Sequence, residues 1–184
     1  MPIPLGVLAV AGAGGGVVAG NAYEWLETVI VPATPQASVE FTNLGTNYSS
    51  TYQHLQIRMA TFSSVDTWFR VQLNGATTNY YSHRLVGESG AVTSAASASS
   101  STGMQLIGLT GSSSVPGSSI IDILDPFETS KNTTIRCLTR GPNTIALTSG
   151  LWNDTSSLTS IKLNNDGGNF NQYTRVSLYG MRSS

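Results

Sequence analysis

Residues 118–138, SSIIDILDPFETSKNTTIRCL, decide the fold. Two short apolar runs, Ile120 to Leu124 and Ile135 to Leu138, flank Asp125-Pro126 and the polar segment Glu128-Thr129-Ser130-Lys131-Asn132. Neither run is long enough for a helix, and the connection holds a proline with Ser, Asn and Lys. The stretch therefore predicts strand, loop, strand. In Ile121-Asp122-Ile123 and Thr134-Ile135-Arg136-Cys137 apolar and polar side chains alternate, which sends them to opposite faces of a half-buried sheet. The pair is expected to form the central hairpin of a β-sandwich, with Ile123 facing the core and Asp122 facing away from it.

The same pattern repeats on both sides. Toward the C-terminus, Asn143 to Gly150 reads as a strand, and Leu151-Trp152-Asn153-Asp154 as the start of a loop. Leu158 to Leu163 and Thr174 to Met181 alternate across the turn cluster 164–169, and Val176 belongs to the core phase. Toward the N-terminus, Met104 to Leu109 is a strand. Gly90 to Gly103, almost purely Ala, Ser, Thr and Gly, reads as a low-complexity loop with no large side chain to bury. Another strand starts near Tyr80. Trp68 to Leu73 places Phe69, Val71 and Leu73 inward and ends in the hairpin-turn dipeptide Asn74-Gly75. Gln53 to Phe62 places Leu55, Ile57 and Met59 on one face and Gln56 and Arg58 on the other. Tyr23 to Val31 and Ala37 to Phe41 are two further strands, joined through Pro32 to Pro35 as a hairpin. Ten or eleven short strands without a convincing amphipathic helix predict an all-β fold, an antiparallel, jelly-roll-like β-sandwich.

Before Tyr23 the composition changes abruptly. MPIPLGVLAVAGAGGGVVAG (residues 1–20) has no charged side chain and six glycines. A signal peptide would carry a basic start, and the first Lys or Arg is Arg58. A membrane helix is disfavoured by four glycines between positions 12 and 16. The segment reads instead as an extended apolar arm that becomes ordered by docking on a partner. Residues 1–22 are thus taken as a docking arm and 23–184 as the sandwich domain. Pro2, Ile3, Pro4, Leu5, Val7, Leu8, Val17 and Val18 are its candidate assembly residues.

Charged residues make up 10% of the 184-residue chain, against ~25% in an ordinary soluble domain. A surface of hydroxyls and amides suits a subunit that buries much of itself in an assembly, because desolvating a hydroxyl costs less than desolvating an ion. An extracellular or carbohydrate-binding β domain has similar composition. Nine Lys and Arg against ten Asp and Glu, without a basic cluster in sequence, leave no footprint for nucleic acid. The single cysteine, Cys137, lies in an apolar strand and reads as a buried, inert thiol.

Nothing in the sequence forms a catalytic set. His54 or His83 can be matched on paper with many serines, but no nucleophile elbow is present. His83 reads as a surface or satisfied core histidine. Asp122 and Asp125 sit on opposite faces of a strand, unsuited to paired acid and base work. The turn Asn164 to Asn169 offers oxygens but lacks a further acidic ligand for calcium. Asn47, Asn132 and Asn153 match the glycosylation pattern in a chain so rich in Ser and Thr that matches arise by chance. Trp25, Trp68, Trp152, Tyr80 and Tyr81 admit sugar stacking, with core packing the stronger alternative. No enzyme activity, cofactor or metal is expected.

Several phrases in order carry a resemblance: Tyr23-Glu24, Tyr52-Gln-His-Leu-Gln-Ile-Arg58, Tyr81-Ser-His-Arg-Leu85, Ile120-Ile-Asp-Ile-Leu-Asp125, Lys131-Asn-Thr-Thr-Ile-Arg136, Ser149-Gly-Leu-Trp152 and Arg175-Val-Ser-Leu-Tyr-Gly180. From Tyr23 to Arg182 the chain resembles small structural proteins of tailed bacteriophages, found as tail-fibre, appendage or head-decoration components. Members of that family often begin Met-Pro-x-Pro-Leu-Gly, as this chain does at Met1 to Gly6. The resemblance implies a virion structural protein, located on the virion, with other virion proteins as partners and no catalytic motif. Few charges, an apolar arm and many strand edges add the expectation of a homo-oligomer, and the resemblance favours a homotrimer. The alternative is a receptor- or carbohydrate-binding module with a host-surface glycan as ligand. Neither nucleic-acid binding nor membrane insertion is expected.

Overall fold

The computed structural model describes residues 22–65, 67–98, 103–106 and 114–182. Among these, twelve strands form: β1 (Tyr23–Ile30), β2 (Ser38–Phe41), β3 (His54–Thr61), β4 (Phe69–Leu73), β5 (Tyr80–Glu88) and β6 (Ala91–Ala98). They continue as β7 (Met104–Leu106), β8 (Gly117–Leu124), β9 (Thr133–Arg140), β10 (Thr144–Trp152), β11 (Ile161–Asn165) and β12 (Arg175–Met181). A single turn and a half of helix, α1 (Leu44–Tyr48), interrupts them.

The larger sheet has the order β1-β12-β3-β8-β9-β10-β5-β6 and the smaller β2-β11-β4-β7, and all pairings are antiparallel. Taken alone, β1-β12-β3-β8 against β2-β11-β4-β7 is a jelly roll. The chain passes from one sheet to the other at β1 to β2, β2 to β3 and β3 to β4, and again at β7 to β8, β10 to β11 and β11 to β12, as two Greek keys require. Two hairpins widen one layer. β9–β10 follows β8 directly, and β5–β6, inserted between β4 and β7, pairs onto β10. The expected central hairpin is therefore β8–β9, the fourth and fifth strands of eight.

Burial follows the alternation. Ile121 and Ile123 of β8 and Ile135 and Cys137 of β9 are buried, and Asp122 and Arg136 point outward. Phe69, Val71 and Leu73 of β4 meet Leu55, Ile57 and Met59 of β3 and Val176 and Leu178 of β12 in the main core. Two glycines allow close approaches across this layer: Gly180 of β12 lies directly under the Tyr52 ring, and Gly150 of β10 under the Met104 sulfur. Tyr80 stacks on Trp152 with ring centroids 6.4 Å apart. Its hydroxyl accepts from the Leu73 amide at 2.8 Å and donates to the Ala76 carbonyl. Burial pushes that phenol up to about 12.

Several sequence expectations are corrected. β1 and β2 do not form a hairpin, because Pro32 to Pro35 carries the chain across to the other sheet. Asn74-Gly75 does turn the chain, with φ of 51° and 71°, but β4 and β5 lie in different sheets. Residues 91–98, expected as loop, form β6: Ser89 and Gly90 both have positive φ, the signature of a two-residue hairpin turn, and β5 supplies backbone partners that need no large side chain. Trp152, expected in a loop, is a buried residue of β10. Trp25 and Tyr81 are surface residues, where core packing was the stronger expectation.

Candidate functional site

The arm residues Pro2, Ile3, Pro4, Leu5, Val7, Leu8, Val17 and Val18 lie outside the described residues. What the structure does describe is the broad outer face of the larger sheet, which carries two regions that overlap at Ile120, Leu138 and Ile145, where the jelly roll meets its added hairpins.

The first region lies on the added strands. Strand registers place Ile120, Leu138, Leu147 and Leu85 directly opposite one another across β8, β9, β10 and β5. Four aliphatic side chains thus make one row, and each is 43–52% exposed. Ile145 and Val92 extend it at the β10–β6 end. Soluble monomers rarely leave contiguous apolar surface of this kind open. The row ends at β6, Ala91-Val-Thr-Ser-Ala-Ala-Ser-Ala98, the edge strand of the sheet. Monomeric proteins protect such edges with charged residues, prolines or bulges. β6 contains neither charge nor proline, and its pairing with β5 runs through eight positions without a register shift.

The second region lies on the jelly-roll half. One cross-strand row reads Arg175, Ala60, Ser118, Arg140 across β12, β3, β8 and β9. Two small residues between two arginines leave a depression, and Arg58, two positions before Ala60 on β3, lines its edge with its guanidinium turned toward Gln56 and Tyr179. The result is a shallow cleft of about 460 Å³, flanked by Ile120, Leu138 and Ile145. Arg58 is held in place: its Nε donates to Gln56 Oε1 at 2.7 Å, and its guanidinium lies 4.7 Å from the Tyr179 ring centroid and 5.5 Å from that of Tyr23. Gln56 in turn donates to Asp122 Oδ1 at 2.7 Å. Arg140 Nη1 donates to the Pro116 carbonyl at 3.2 Å. Among the described residues, the acid partners of basic side chains belong to His54, Arg70, Lys131, Arg136 and Arg182, and none to Arg58, Arg140 or Arg175.

Elsewhere the groups that sequence inspection singled out are structural. The Cys137 thiol is buried and pushed up to about 12 by desolvation, so it stays protonated. Asp125 caps the end of the β8–β9 connection. Its Oδ2 meets Lys131 Nζ at 2.7 Å and its Oδ1 accepts from Gln53. The Lys131 hydrogen bond, chiefly, holds its carboxyl below the usual range. The Asp125 amide donates to His54 Nδ1 at 3.0 Å, and the Asp125 carboxylate lies 3.4 Å from the same nitrogen. His83 lies exposed on the outer face. Among the described residues no group of three His, Cys, Asp or Glu side chains is placed to hold a metal ion, and no helix is long and apolar enough to cross a membrane.

Sequence reasoning missed the arginine cleft because its members are far apart in the chain. Their only advance signal is phase: each stands at an outward position of its strand. No family model matches the chain, and no curated protein matches it.

Proposed function

We propose that the protein is a structural subunit of a tailed-bacteriophage virion, a tail-fibre, appendage or capsid-decoration component attached through its N-terminal arm. In this reading the jelly-roll domain stands on the particle surface as a homo-oligomer, with a trimer favoured. The observation that carries it is the unguarded edge β6 beside the exposed aliphatic side chains Leu85, Val92 and Leu147. A lone domain leaves this region open to uncontrolled strand pairing, whereas a neighbouring subunit covers it. The low charge content and the uncharged arm agree with a protein built for contact with other proteins. A cryo-EM map of the phage particle tests the reading: density for this sandwich on tail or head supports it, and a complete particle map without such density rejects it.

A further inference from the structure

We propose that the open edge of β6 receives the N-terminal arm of a neighbouring copy, whose residues 7–11, Val-Leu-Ala-Val-Ala, add a ninth strand to the larger sheet. The inference rests on the proposed assembly and names what covers its exposed edge.

The edge comes first. In an antiparallel ladder every second residue turns its N–H and C=O toward the partner strand, so half of the backbone groups of β6 face β5 and half face away. Among the described residues no strand pairs with that far side, and the side chains from Ala91 to Ala96 are exposed. The other described sheet edges are unsuited to fill it. β1 carries Glu24, Glu27 and a register shift between Trp25 and Glu27, β2 is four residues long and includes Glu40, and β7 has three residues. Pairing β6 with a second β6 ends at two copies about a two-fold axis and leaves the apolar arm without cover.

The arm supplies what the edge lacks. Residues 7–11 hold no charge, proline or glycine, so every N–H among them can enter a ladder. On a strand, Leu8 and Val10 fall on one face and Val7, Ala9 and Ala11 on the other. With Leu8 and Val10 beside Val92, the new strand extends the aliphatic surface of Leu85, Leu147 and Val92. Pro2 and Pro4 lack the N–H groups a ladder needs, so the segment ahead of residue 7 stays out of the strand and is left to reach the particle.

Chain length decides which copy donates the arm. The arm joins the sheet at Tyr23 on β1, the edge opposite β6. With neighbouring strands about 4.8 Å apart, the eight-stranded order puts β6 about 34 Å from β1. The Gly-rich link 12–22 spans about 18 Å as a relaxed chain and reaches about 36 Å only when fully extended. Pairing with its own β6 therefore demands a taut link across the whole outer face, whereas a neighbour's edge needs only to stand within about 18 Å of Tyr23. Each copy gives one arm and receives one, and head-to-tail contacts of this kind close as a ring.

Sedimentation and cross-linking of the full chain test the proposal. Leu8→Asp with Val10→Asp is expected to lower the sedimenting mass to that of one 19.4 kDa chain while melting as the wild type does. Lys162→Gln, on the smaller sheet, should leave the oligomer unchanged. For the contact itself, chains carrying Ala9→Cys and chains carrying Ser94→Cys are co-expressed and treated with a flexible bis-maleimide, which the buried Cys137 does not meet. A covalent pair of the two kinds of chain is expected, and a chain carrying both substitutions is expected to link to its neighbours. The proposal is overturned if the intact chain is a monomer, if the aspartate variant keeps its oligomer, or if no link joins the two kinds of chain. It is also overturned if Ser94→Cys chains link to one another instead, which assigns the edge to a second β6, or if the doubly substituted chain links only within itself, which assigns it to its own arm. A particle map without this protein rejects the virion reading and leaves these outcomes unaffected, and an oligomer that survives the aspartate variant rejects the arm exchange and leaves that map to decide.

Discussion

Ile123 has no exposed surface and lies between Leu55 of β3 and Ile135 of β9 in the centre of the larger sheet. A charge at this position has neither water nor a partner, so Ile123→Asp should cost on the order of 4 kcal/mol, enough to unfold most of the population. Asp122→Asn, one residue away on the open face, should cost less than about 1 kcal/mol, because the asparagine Oδ1 can still accept from Gln56 and the Arg136 contact at 3.9 Å is loose. Denaturant melts of the two variants check the strand phase, and a normally melting Ile123→Asp protein contradicts it. Asp125 offers a pH test. Its φ of 50° is one that asparagine tolerates, so Asp125→Asn removes charge with little backbone strain. Because Lys131 lowers the folded-state pKa, the stabilisation is complete above the unfolded value of about 3.9 and is lost as pH falls through the folded value. The variant should therefore be less stable than wild type at pH 7 and converge with it in strong acid. An equal gap at both pH values, in urea titrations, would assign the loss to something other than ionisation. Cys137, protonated and buried, should resist thiol alkylation until the chain unfolds.

At the scale of elements, strand phases were legible and strand partners were not. Leu55, Ile57 and Met59, Phe69, Val71 and Leu73, and Ile123 and Val176 all turn to the core because side chains on a strand alternate with a period of two, which is a local property. Whether Asn74-Gly75 closes a hairpin or sends the chain to the opposite sheet depends on residues far away, here the Asn74 Oδ1 contacts with the Thr159 and Ser160 amides. Strand β6 was illegible for a related reason: its stability comes from β5 and not from its own small side chains. The same non-locality hid the cleft, since Arg58, Arg140 and Arg175 come to line one depression only through the order β12-β3-β8-β9. The arm expected from composition lies outside the described residues. Edge β6 carries the element-scale prediction. Ser94→Lys and Ala96→Lys introduce the charges that guarded edges use, so the double variant should dissociate the proposed oligomer while melting within about 1 kcal/mol of wild type. Unchanged association would show that β6 is not the contact.

For the whole molecule, the account separates folding from assembly. Among the described residues the buried core runs from Val31 to Leu178, so on the proposed division into arm and domain a chain lacking residues 1–20 should melt as the intact protein does yet fail to join particles. A truncated chain that cannot fold, or one that is incorporated normally, contradicts the division into arm and domain. The central claim is that this protein is an assembling subunit. Sedimentation velocity of the intact chain at micromolar concentration tests it most directly. The account predicts one dominant species of three times the 19.4 kDa chain mass, and a stable, monodisperse monomer would contradict it.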